Sequence, residues 1–74
     1  MPREPVNSAA IETVTYDEWS RHLDIALATG RIYRYFDVPP EVYAELMDAD
    51  SKGRFYNERI RDAYRYERLN RPRR

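Results

Sequence analysis

The chain is predicted to fold as an α+β domain: a three-stranded antiparallel meander followed by two helices packed on one face of it, in the order β-β-β-α-α. Three observations carry this. Apolar residues alternate at period two in three early segments, the mark of strands with one buried face. Later apolar residues recur at three and four positions, the mark of helices. The link between the second and third strands is too short for a crossover, so that pair is a hairpin.

The first strand is expected at residues 9–16, AAIETVTY, where Val14 and Tyr16 alternate with Thr13 and Thr15. Ile11 is out of phase with Val14, which implies a bulge. The second strand, RHLDIALA at 21–28, directs Leu23, Ile25 and Leu27 to one side. The third is RIYRYFD at 31–37. A two-residue turn at Thr29-Gly30 would pair Leu27 with Ile32. A three-residue loop, Ala28-Thr29-Gly30, pairs Leu27 with Arg31 instead, and one residue of register turns every side chain over. Threonine resists the positive φ of a type I′ turn, whereas the three-residue loop asks it only of Gly30. The longer loop is therefore expected. Tyr33 and Tyr35 then share the core face with Leu23, Ile25 and Leu27, and Ile32, Arg34 and Phe36 lie on the open face.

In DVPPEVYAELMDAD, proline disfavours helix at the residue before it but fits the first helical turn, so a helix begins near Pro40. Val42, Tyr43, Leu46 and Met47 form its apolar stripe. Ser51 and Asn57 are candidate caps for a second helix. That helix is expected to run through FYNERIRDAYRYERL, with Tyr56, Ile60 and Tyr64 inward and Tyr66 at the flank.

With 74 residues the chain suffices for one small domain, and a domain this short has a thin core. Residues 1–7 are expected to be an N-terminal arm, 8–69 the domain and 70–74 a basic tail. There is no cysteine and a single histidine, His22, so disulfides and thiolate or His-rich metal sites are excluded. Stability falls to the seven tyrosines, two phenylalanines and one tryptophan, each able to bury ~150–250 Å². The segment MPREPVNSAA lacks the apolar core of a signal peptide, and no apolar run approaches the ~20 residues of a membrane span. A soluble, cytoplasmic protein is expected.

Charge is unevenly spread. Residues 1–51 carry four basic and ten acidic groups, net −6, and residues 52–74 carry nine and three, net +6. The basic end suits an anionic partner. With about 100° per helical residue, Arg54, Arg61, Arg65 and Arg68 would fall within roughly 60° of one another, opposite the Tyr56–Ile60–Tyr64 stripe. Arginine outnumbers lysine twelve to one, and its planar fork suits phosphates and stacks on rings. These four, with Arg34 and Phe36 on the open sheet face, are the candidate nucleic-acid contacts. A solvated helix face paired with acidic residues is the plainer reading of the same arginines. The alternative function is a homodimer or protein-interaction module using the open face. No catalytic residue, metal ligand, cofactor or small-molecule substrate is indicated, so the chain is read as non-enzymatic.

The order Ser8-x-x-Ile11-x-x-Val14-x-Tyr16-Asp17, Leu23-x-Ile25-x-Leu27-x-x-Gly30-x-x-Tyr33-x-Tyr35-x-x-Val38-Pro39, Val42-Tyr43, Ala49-x-Ser51-x-Gly53-x-Phe55-Tyr56-Asn57-x-x-Ile60 and Tyr64 resembles the KTSC domain family. The likeness runs from residue 8 to about 69. That family takes its name from the C-terminus of some lysyl-tRNA synthetases and also occurs as stand-alone bacterial proteins, with a central Tyr-x-Tyr as its hallmark. Leu27 stands where an aromatic is common and Tyr56 where phenylalanine is common. The resemblance implies a small domain with a suggested RNA-binding role and no catalytic residues.

Overall fold

A computed structural model describes residues 11–70. They form a four-stranded antiparallel sheet in the order β1-β2-β3-β4, covered on one face by two short helical segments. Strand β1 is Ile11–Asp17, β2 is His22–Leu27 and β3 is Ile32–Tyr35. The expected bulge is present: the β1–β2 register shifts between Ile11 and Thr13. Residues 9 and 10 of the expected first strand lie outside the described residues.

The hairpin register is the one that the threonine argument selects. Leu27 N–H donates to the Arg31 carbonyl at 2.8 Å, and Gly30 N–H donates to that of Leu27 at 2.9 Å. Gly30 takes φ +98°, a region that side chains with a Cβ avoid. Leu23 lies opposite Tyr35, and Ile25 opposite Tyr33. The core is Leu23, Ile25, Leu27, Tyr35 and Val38 with Leu46, Tyr56 and Ile60 from the helical layer.

Helix α1, Pro40–Asp48, starts with Pro40 in its first turn. Leu46 is its one fully buried side chain, Val42 and Tyr43 are half-buried, and Met47 turns outward at 43% exposure. Two contacts bind this end of the layer to β1. The Tyr16 and Tyr43 rings stack at 4.9 Å, and the Tyr16 hydroxyl donates to the Val38 carbonyl at 2.6 Å.

The second helix departs from expectation. Helix α2 is only Lys52–Phe55, capped by Ser51 Oγ accepting from Arg54 N–H at 3.2 Å. It widens into a π-turn over Tyr56–Ile60, closed by Arg61 N–H to the Tyr56 carbonyl at 2.9 Å. Residues 66–68 are instead a fourth strand, β4, Tyr66–Arg68. Tyr35 lies opposite Tyr66, Arg34 opposite Glu67 and Tyr33 opposite Arg68. The physical reason is the bare edge of β3, whose N–H and C=O groups need partners. Pairing also relieves the repulsion that a helical Arg61–Arg65–Arg68 stripe would carry, since Arg65 and Arg68 now point to opposite sheet faces. Asn70 pins the chain beyond β4: its Oδ1 accepts from Ile32 N–H at 3.0 Å and its Nδ2 donates to the Gly30 carbonyl at 2.6 Å.

Of Tyr64-Arg65-Tyr66, which the sequence pattern placed on the second helix, only Tyr66 lies in the sheet. Tyr66 faces Tyr35 across the β3–β4 pair, and Arg34 and Arg65 both project from the open face.

Candidate functional site: an arginine–tyrosine groove

The fourth strand divides the six candidate contacts. On the open face, Arg34 is already engaged: Nε and Nη2 reach Asp24 Oδ1 and Oδ2 at 2.9 and 3.0 Å. Glu67 lies opposite on the other side, giving a row of alternating charge, Asp24–Arg34–Glu67. The hydrogen bonds to Asp24 hold the Arg34 guanidinium still more firmly in its charged form. Phe36 is half-buried, between the His22 ring edge-on at 5.0 Å and the Arg65 guanidinium 4.8 Å above its face. Arg34 and Asp24 therefore satisfy each other, and the aromatic is covered from within the chain. Arg54 is exposed on α2. Arg68 lies on the helix side opposite Tyr33, and its Nε is buried without a hydrogen-bond partner among the described residues.

Of the six, Arg61 lines a groove that the other five do not. This groove, of about 410 Å³, runs between the β3–β4 ribbon and the π-turn. Tyr33, Tyr35 and Tyr56 line it from within, and Arg31, Arg61, Asp62 and Tyr66 stand at its exposed rim. Each position follows from local structure. Arg31 is carried there by the three-residue loop, which sets residues 31, 33 and 35 on the helix side. The π-turn delivers Tyr56 and Ile60 inward and leaves Arg61 at its end. Strand pairing delivers Tyr66.

The aromatic floor is tightly built. Tyr66 contacts Tyr33 edge-to-face at 5.5 Å and leans on Tyr35 at 5.4 Å, yet remains 52% exposed. Its outer surface is a ring held in place by two others. Beneath it, the Tyr35 and Tyr56 hydroxyls are 2.5 Å apart. Burial, then their mutual hydrogen bond, pushes the Tyr35 hydroxyl far above the ordinary tyrosine range. Burial likewise raises that of Tyr56, against the opposing effects of Tyr35 and the nearby Arg61 charge. Both are protonated at neutral pH. At the rim, Arg61 Nη1 makes a long 3.5 Å bond to Asn57 Oδ1. Among the described residues, neither Arg31 nor Arg61 forms an ion pair with a carboxylate.

Of the candidate contacts singled out from the sequence, Arg61 lines the groove, whereas Arg31 and Tyr66 were not among them. Two signals were present. The expected register itself assigns Arg31 to the tyrosine face, and Tyr66, Glu67 and Arg68 alternate at period two as a strand does.

A small α+β domain with an aromatic, arginine-rimmed groove is thus defined. The family model of the KTSC domain matches residues 7–64, and the chain belongs to that family. It is 40% identical over 62 residues to a protein of Tsukamurella paurometabola, covering 84% of this chain and 92% of that one. It is also 37% identical over 70 residues to an uncharacterised protein of Stutzerimonas stutzeri, covering 93% and 99%. A lysine–tRNA ligase of Nostoc punctiforme is 34% identical over 61 residues, 82% of this chain but only 11% of the ligase. The crystal structure of a KTSC domain protein from Yersinia pestis superposes with a TM-score of 0.80 at 32% identity, covering 92% of this chain and 96% of that one. Among the described residues, no helix is long and apolar enough to cross a membrane.

Proposed function

We propose that the domain binds single-stranded RNA, with Arg31 and Arg61 taking backbone phosphate at the groove. The observation that carries this is the pairing of two rim arginines lacking carboxylate partners among the described residues with an exposed, pre-positioned tyrosine ring. Single-strand binders combine such a basic track with rings on which bases stack. The presence of a similar segment in lysine–tRNA ligases supports an RNA partner. The reading is one of binding and not catalysis: tyrosines held protonated suit hydrogen-bond donation and are poor general bases. The Arg34–Asp24 ion pair weighs against Arg34 as a phosphate contact, and the seating of Arg65 on Phe36 weighs against that face as the principal site.

The test is fluorescence anisotropy with a labelled single-stranded RNA of about 12 nucleotides. Affinity is expected to fall steeply with salt, because phosphate binding releases counterions. An Arg31→Gln/Arg61→Gln variant is expected to lose about tenfold or more near 50 mM salt. Its salt slope should shrink by about 1.4, the value for two single-strand phosphates. An Arg34→Gln/Arg65→Gln variant is expected to retain most of the affinity. If the two double variants behave in the opposite way, the site lies on the open face and the groove reading fails.

A further inference from the structure

We infer that the groove seats one nucleoside phosphate unit, its base stacked on Tyr66 and its phosphate held by Arg31 and Arg61. This rests on the RNA reading only for the source of the unit; the chemistry comes from the cavity. A volume of about 410 Å³ is in the range of small-ligand pockets and beyond what one ion needs. The recognition groups are of three kinds, each matching one part of a nucleotide.

The first is a platform. Tyr66 is buttressed by Tyr33 and Tyr35 and offers its remaining surface to solvent. A planar base loses little by stacking there, because the ring is already immobilised. The second is charge. Arg31, just before β3, and Arg61, just after the π-turn, both line the groove, and a phosphate seated between their guanidinium forks can accept from both. The third is a polar contact of defined sense. Two tyrosine hydroxyls carry two protons, and the bond between Tyr35 and Tyr56 uses one of them. Both side chains are almost fully buried, so this pair shapes the floor beneath Tyr66 and leaves the polar contact to the rim. Asp62, also at the rim, accepts from a ribose hydroxyl or an exocyclic amine. A bare phosphate would leave the tyrosine platform unused, and an uncharged aromatic would leave both arginines unused.

The unit can come from a free mononucleotide or from a residue within an RNA strand. Two measurements separate these: amide chemical-shift titration with AMP, and displacement of labelled RNA by AMP, adenosine or inorganic phosphate. AMP is expected to shift Arg31, Arg61, Asp62 and Tyr66, and to outcompete adenosine and phosphate by about tenfold or more. Tyr66→Ala is expected to weaken AMP binding by about tenfold, whereas Tyr66→Phe, which keeps the ring, should restore most of it. Arg61→Gln, at an exposed position, gives a second variant that leaves the core untouched. Displacement of RNA by AMP supports a shared seat. AMP binding without RNA binding supports the seat and overturns the RNA reading. RNA binding that neither AMP nor Tyr66→Ala alters overturns the seat and leaves the RNA reading on another surface. Binding of neither overturns both.

Discussion

Leu46→Ala is expected to remove a large share of the protein's stability. Leu46 is fully buried and is the only such side chain of α1. Truncating a buried leucine costs about 2–5 kcal/mol, from lost transfer energy and the cavity left behind. A 74-residue domain has only about 4–11 kcal/mol of total stability. The helix has little of its own to fall back on. It spans nine residues, has no side-chain N-cap and carries no basic residue in its last turn, and isolated helices this short are marginal in water. Its order depends on Leu46 and the Tyr16–Tyr43 stack. Urea denaturation checks this: the midpoint should fall severely for Leu46→Ala, while Met47→Ala, at 43% exposure, should change stability by about 0.5 kcal/mol or less. Equal effects at the two positions would contradict the packing described.

Alkaline pH is expected to destabilise the fold through the groove floor. The native-state pKa values of Tyr35 and Tyr56 are raised by burial, whereas in the unfolded chain tyrosine titrates near 10. Below pH about 10 both states keep the protons and these groups add no pH dependence. Above it the unfolded chain releases protons that the native state retains, so stability falls as pH rises, by up to about 1.4 kcal/mol per pH unit for each tyrosine. Tyr16, raised mainly by burial, acts in the same direction. A Tyr35→Phe/Tyr56→Phe variant removes both hydroxyls and leaves neither orphaned, so its cost near neutrality should be small. Comparing urea midpoints near pH 8 and pH 11 should show a markedly shallower loss in the double variant. Parallel losses would mean that the pair is not buried as described.

The sheet was the most legible part of the chain. Its alternation, the bulge at Ile11 and the hairpin register all follow from local chemistry, and a β-branched threonine beside Gly30 is enough to select the loop. The end of the second helix was not legible. YRYER alternates at period two while its tyrosines and arginines also fit helical spacing, so pattern alone does not decide between them. What decides is the unpaired edge of β3, a tertiary demand that overrides weak local propensity. Because the arginine face was drawn on a helix that ends near Ile60, the candidate contacts scatter. Arg65 covers Phe36, Arg34 pairs with Asp24, and Arg61 stays in the groove. The groove is assembled from β3, β4 and the π-turn, so it appears only once the fourth strand is in place.

The most direct measurement is amide chemical-shift mapping of the full chain with a single-stranded oligoribonucleotide at low salt, near 50 mM. Shifts should concentrate at Arg31, Tyr33, Arg61, Asp62 and Tyr66 and fade as salt is raised, with Arg34, Phe36 and Arg65 little changed. Shifts centred on Arg34, Phe36 and Arg65 with a silent groove, or none at all, would contradict the assignment of RNA to this site.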